Sequence, residues 1–314
     1  MRLVLEKLGE LGAKSFAGQT VEEARAQPTS ADAVKAVMSE TTASTTPDAV
    51  TTKDIMIPGA EGEVPGRVYT PAAAGDGPMP VILYFHGGGW VIANIDVYDA
   101  TPRALAEKTG AVVISSSYRQ APEHKFPAAH DDAIAAYKWV VENAGQYNGD
   151  TARIAVVGES AGGNLAANVA IAARDQKLQA PVHQVLVYPV AGNDMETPSY
   201  QENANAVPLD KPSMKWFVDH VLAEPSQKDD PRLNLVDRPD LEGLAPATVV
   251  TAEIDPLRSE GQELAKNLEA AGVDTEIKDF EGASHEFFGM APTVADATEA
   301  QEFVVGRLKT AFAK

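Results

Sequence analysis

The sequence predicts an α/β fold with a mostly parallel central sheet, and three observations carry that prediction. After Pro80, short apolar runs alternate with helical stretches. The runs are apolar throughout instead of alternating, as strands covered on both faces are. The composition, 44% hydrophobic and 23% charged over 314 residues, is that of a globular chain able to bury about three quarters of its surface.

In chain order, Leu3, Leu5, Leu8 and Leu11 recur near helical spacing. A second helix is expected from Ser30 through Val34, Val37 and Met38, with Pro28 as a stop before it. Residues 39–49 are small and Ser/Thr-rich, a loop with a low-complexity tract at 41–46. Short strands at 54–57 and 66–70, divided by Gly59, Gly62 and Pro65, give a hairpin-like entry to the sheet. Buried strands follow at 81–85, 111–116, 154–157, 184–188 and 247–251, with a last one at 275–280. Helices are expected at 98–108, 129–143, 164–174, 258–271 and 296–313. The stretch 192–244, rich in Pro, Asn and Asp with an amphipathic piece at 214–221, interrupts this rhythm as an insertion. The domains expected are therefore cap helices in 1–50, a body of 51–191 and 245–314, and a cap insertion at 192–244. Both caps would sit over the carboxyl edge of the sheet, where open α/β folds bind ligands.

Charge and cysteine content narrow the function. With 26 Lys+Arg against 45 Asp+Glu the net charge is −19, which disfavours nucleic acid and anionic membrane as partners. Such a charge serves solubility and would also suit a saline habitat. Zero cysteines remove disulfides, thiolate metal sites and a thiol nucleophile. No His-Glu-x-x-His occurs, so neither a metal nor a cofactor is expected. Glu6 and Glu10 break any signal-peptide core, and no run approaches the ~18 apolar residues of a membrane span, so the expected location is the cytoplasm. Helix and edge-strand surfaces near 275–314 offer a place for a homodimer.

Gly158-Glu159-Ser160-Ala161-Gly162 follows a predicted strand and precedes a predicted helix. A turn that sharp needs small residues two before and two after its tip, which leaves the Ser160 hydroxyl exposed above a helix N-terminus. His86-Gly87-Gly88-Gly89-Trp90 follows another strand, and its glycines let backbone N–H groups face a developing oxyanion. A phosphate loop would continue into Lys-Ser/Thr, whereas Val91-Ile92 is apolar. Of six histidines, His285 lies in a small-residue loop after the last strand, the position for a base. Asp255, ahead of Pro256, follows the strand at 247–251 and is the candidate carboxylate, with Glu253 as its competitor. Ser, then Asp, then His is the α/β-hydrolase order.

From about Val81 to Phe288 the chain resembles the bacterial hormone-sensitive-lipase-like esterases. The resemblance includes Tyr118-Arg119-Gln120-Ala121-Pro122-Glu123-His124-Lys125-Phe126-Pro127-Ala128-Ala129, a structural segment in that family. It implies an α/β-hydrolase fold with a helical cap, a nucleophile Ser160, acid Asp255 and base His285, and oxyanion donors on Gly88, Gly89 and Ala161. It also implies a small-molecule substrate, a short- to medium-chain acyl ester. Trp90, Tyr188, Phe217 and Phe287 are candidate pocket walls, each with an ordinary core or cap aromatic as the alternative reading. A deacetylase or amidase would use the same three residues. A hormone receptor resembling this family lacks the histidine, and His285 argues against such a binding role. Glu159, Ser117 and Ser259 stand where the family more often carries Asp.

Overall fold

The computed structural model describes residues 1–40, 49–72 and 77–314, so the tract at 41–46 lies outside the described residues. Eight strands form one sheet in the order β1-β2-β4-β3-β5-β6-β7-β8. These are β1 (Val50–Pro58), β2 (Glu63–Pro71), β3 (Met79–Phe85), β4 (Val112–Ser116), β5 (Gly149–Glu159), β6 (His183–Val187), β7 (Ala247–Ile254) and β8 (Thr275–Ser284). β1 and β2 pair antiparallel, as do β2 and β4. Every other pairing, from β4 across to β8, is parallel.

The continuous apolar runs serve two cores, because successive side chains on a strand point to opposite faces. Val81, Leu83 and Phe85 of β3 join Val112, Ile114, Ile154, Val156 and Leu186 on one face. Ile82, Tyr84, Val113, Ala155, Val157, Val185 and Val187 fill the other. Helices α5 (Ala128–Asn143), α6 (Ala161–Asp175) and α9 (Arg258–Ala270) cover the first face. α4 (Ala100–Thr109) and α10 (Ala295–Phe312) cover the second.

Before the sheet come α1 (Arg2–Glu10), α2 (Val21–Ala26) and α3 (Ser30–Glu40). The leucine stripe of α1 coincides with its buried face only at Leu8. Val4 and Leu8 are buried, while Leu3 is 65% and Leu11 42% exposed. Val4 and Leu8 are four apart, one above the other on a helix, and a stripe read from leucines alone overlooks the valine. The short α2 was not legible as a helix; Thr20 and Glu23 close a reciprocal capping box that supports its single turn and a half.

The stretch 192–244 carries α7 (Pro198–Glu202) and α8 (Lys211–Val221). Asp210 caps α8 by accepting the Ser213 N–H at 2.7 Å, and Met214, Phe217 and Val221 form its buried stripe. Asn164 and Asn168, buried on α6, both donate to the Arg232 carbonyl and tie this stretch to the body.

Candidate active site

Five strand ends deliver the candidate residues to the carboxyl edge of the sheet. β5 ends at Glu159, and Ser160 follows in a strained conformation, φ 56 and ψ −120. The two flanking glycines are required by contact. A side chain on Gly158 would run into the Gly162 carbonyl, and one on Gly162 into the Phe85 carbonyl. The Ser160 N–H donates to Val187 O at 2.9 Å, and its hydroxyl makes no capping bond to α6. The hydroxyl is thus free to pair elsewhere, and it meets His285 Nε2 at 3.0 Å.

His285 and Asp255 meet through strand register. Ile254 of β7 pairs with Ser284 of β8, so the next residues, 255 and 285, emerge side by side. Two extra residues of β8 bulge out between the Ala252–Phe280 and Ile254–Ser284 pairs. Gly282, in left-handed conformation, lies in that bulge, and its N–H donates to Glu253 Oε2 at 2.7 Å. Glu253 therefore braces the bulge, while Asp255 Oδ2 accepts from His285 Nδ1 at 2.7 Å. The other oxygen, Oδ1, accepts the Leu257 N–H at 2.9 Å. Burial alone would lower the pKa of the His285 imidazole, but the Asp255 carboxylate outweighs it and holds the ring above its ordinary 6.5.

Beside Ser160 the glycine loop leaves β3. Gly88 has φ 95, and a side chain there would strike the Ile92 carbonyl. Among the described residues, no protein acceptor takes the N–H groups of Gly88, Gly89 or Ala161. The segment 118–129 braces this loop. Tyr118 OH donates to the His86 and Gly87 carbonyls at 3.0 and 3.1 Å, and Gln120 Nε2 to those of Ile92 and Ala93. Arg119 is itself fixed by the fully buried Asp132 carboxylate at 2.9 Å.

A cavity of about 1660 Å³ opens over Ser160 and His285, walled by α1, α3, the glycine loop and the 192–244 stretch. Trp90 and Phe217 line it, and the Phe217 ring lies directly against Gly89. Tyr188 and Phe287 do not. Both are buried, Tyr188 packing against the His285 ring at 4.6 Å and against Phe287 at 6.0 Å. The reading of these two as pocket walls is corrected, and the core alternative holds: Tyr188 packs on the His285 ring and Phe287 packs on Tyr188, away from the cavity lining. The Tyr188 hydroxyl instead donates to Glu159, as does that of Tyr84.

The other histidines have other duties. Burial pushes His86 and His130 down to about 4, so both rings are neutral at pH 7. His130 Nε2 pairs with Asn164 Oδ1 at 2.9 Å, His183 Nε2 with Thr248 Oγ1 at 2.8 Å, and His220 Nδ1 with the Trp216 carbonyl at 2.7 Å. His124, in the 118–129 segment, is exposed.

Against known proteins, a family model described as the alpha/beta hydrolase fold matches residues 82–289. The chain is 41% identical over 252 residues to the carboxylesterase NlhH of Mycobacterium tuberculosis, covering 79% of each chain. This chain belongs to the α/β-hydrolase family, in its hormone-sensitive-lipase-like branch. An ethyl acetate hydrolase of Pseudomonas putida is 36% identical over 250 residues, 78% of each chain. An esterase of Pyrobaculum calidifontis superposes with a TM-score of 0.86 at 35% identity, covering 96% of this chain and 97% of the other.

Within this α/β-hydrolase, the three departures from the commoner pattern leave the Ser160, Asp255 and His285 contacts untouched. Burial pushes the Glu159 carboxyl up, against hydrogen bonds from Tyr188 and Tyr84 that pull it down. Ser259 Oγ accepts the Ser199 N–H at 3.1 Å and its own N–H donates to Ser199 Oγ at 3.0 Å, so α7 is pinned to the start of α9. Ser117 holds Pro65 O through its N–H at 2.9 Å. One residue close to the centre had no motif to reveal it. Glu260, buried on α9, accepts the N–H groups of Ala191 and Gly192, and burial pushes it up to about 8.

Proposed function

We propose that Ser160 attacks an ester carbonyl, with His285 as its general base and Asp255 orienting the imidazole. The chain is a serine carboxylesterase. What carries the proposal is the pair of hydrogen bonds running from Asp255 through His285 to Ser160 at the floor of an apolar-walled cavity. The Ser160 proton moves to His285 Nε2 as Oγ bonds to the carbonyl carbon. The oxyanion is held by the N–H groups of Gly88, Gly89 and Ala161, each worth roughly 3–4 kcal/mol of barrier. Collapse expels the alcohol, which takes the proton from His285. Water, deprotonated by His285, then attacks the acyl-enzyme and frees the acid and Ser160.

The acyl group is short to medium in length. Supporting this, Phe217 of α8 closes down on Gly89, next to where the carbonyl must sit. A relative named as an ethyl acetate hydrolase agrees with it. Residues 1–50 and 192–244 act as the cap, with 51–191 and 245–314 as the catalytic body. The cavity lies between described parts of the two. Among the described residues no helix is long and apolar enough to cross a membrane.

Initial rates with p-nitrophenyl esters from acetyl to palmitoyl test the substrate. A maximum at short or medium chains is expected. Rates rising to palmitoyl would overturn the chain-length assignment, and no hydrolysis of any ester by folded protein would overturn esterase function.

The pH profile tests the base. Neutral His285 is the active form, so kcat/KM falls on acidification as the ring protonates. Because Asp255 holds the ring above its ordinary value, the acid limb should lie above ~6.5. Stability runs the other way: the raised pKa stabilises the fold below ~6.5, and that contribution is lost as pH rises through the folded-state value. An acid limb well below 6.5, or none, would remove His285 from the role of base.

A further inference from the structure

Glu286 follows the base directly, and the mechanism above gives it no task. Its backbone is left-handed, φ 66, a conformation that a glycine adopts freely and a glutamate does not. Side-chain contacts must hold it there, and both carboxylate oxygens are engaged. Oε2 accepts from Ser30 Oγ at 2.6 Å, across 256 residues of sequence. Oε1 accepts from Tyr98 OH at 3.3 Å. Ser30 is buried at the first turn of α3, and α3 walls the cavity. The Tyr98 hydroxyl reaches the glycine loop as well, since a Cβ added to Gly87 would come within 2.5 Å of it. One carboxylate thus touches the N-terminal segment, a residue resting on the glycine loop, and the loop that carries His285.

We propose that Glu286 is a positioning residue that latches α3 and the N-terminal segment onto the His285 loop, so that seating the roof of the cavity and placing the base are one event. This rests on the esterase assignment for its kinetic consequence only; the latch itself is independent of what the site hydrolyses. The titratable groups around Glu286 are Tyr98, Glu159 and His285, with Asp255 behind the last. The negative charge of Glu286 adds to that of Asp255 in favouring protonated His285.

Three variants separate latch from charge. Ser30→Ala and Glu286→Gly each cut the latch, the second while also relieving the left-handed strain. Glu286→Gln keeps an acceptor for Ser30, turns its NH₂ toward the Tyr98 oxygen and loses the charge. With the latch cut, trypsin cleavage after the exposed Lys35 of α3 should quicken at least fivefold, and KM for a p-nitrophenyl ester should rise more than kcat falls. Glu286→Gln should resist trypsin like wild type but show its acid limb at lower pH. Wild-type cleavage rates in both Ser30→Ala and Glu286→Gly would overturn the latch. An unmoved acid limb in Glu286→Gln would overturn the link to the base. Trypsin reports on the latch even if no ester is hydrolysed, so failure of the esterase assignment is told apart from failure of this one.

Discussion

Ser160→Ala is expected to lower kcat/KM by about 10⁴-fold or more, with the protein still folded. The magnitude follows from what is removed. Without Oγ no acyl-enzyme can form, and only binding and the oxyanion donors are left to assist water. Stability should change little. Ser160 Oγ caps no helix, and the backbone strain at φ 56 is held by the Val187 carbonyl, by the Asn164 and Val190 N–H groups that donate to Ser160 O, and by the glycine contacts on either side. None of these depends on the hydroxyl. The measurement is steady-state hydrolysis of p-nitrophenyl acetate, paired with mass spectrometry after a phosphonate ester. Wild type should gain one covalent adduct on the peptide carrying Ser160, and the variant none. Hydrolysis above a hundredth of the wild-type rate, or an adduct in the variant, would place the nucleophile elsewhere.

How far the sequence foretold this site depends on whether each constraint was local. The turn at Ser160 was legible because Gly158 and Gly162 meet backbone within four residues of chain or at one neighbouring strand end, and no other residue fits. The strands of the sheet were legible as apolar runs, since both faces of each are covered. Their ends were not: β5 begins five residues earlier than its apolar run, and β8 runs on to Ser284 through a bulge. That bulge is why Glu253 stayed a competitor to Asp255 when the sequence alone was read. They are two residues apart on one strand end, and only the register of β8 decides which faces His285. Tyr188 and Phe287 misled for a related reason. An aromatic next to a site can line it or support it, and the direction of its side chain is set by backbone turns without a residue signature. The Glu286–Ser30 contact spans nearly the whole chain, and no local pattern encodes it.

Asp255→Asn is expected to cost about 10⁴ in kcat/KM, far more than the loss of one charge suggests, and the reason is the direction of a single proton. For Ser160 to be deprotonated, His285 must carry its hydrogen on Nδ1 and keep the Nε2 lone pair toward Oγ. Asp255 enforces this because Oδ2 can only accept from Nδ1. Its partner oxygen is committed to the Leu257 N–H at 2.9 Å. An asparagine in the same buried place must satisfy that N–H with its own carbonyl oxygen, which turns its NH₂ toward Nδ1. The ring then has to accept at Nδ1 and carry its hydrogen on Nε2, the tautomer that cannot act as base. The side chain is fully buried and has no room to choose otherwise. Glu253→Gln makes the matched comparison: it weakens one acceptor on the Gly282 bulge and leaves both hydrogen bonds of His285 in place. That change should cost less than tenfold. If instead Asp255→Asn lost less than tenfold and Glu253→Gln lost thousands, the orienting carboxylate would be Glu253, and the register of β8 against β7 would have to differ in solution.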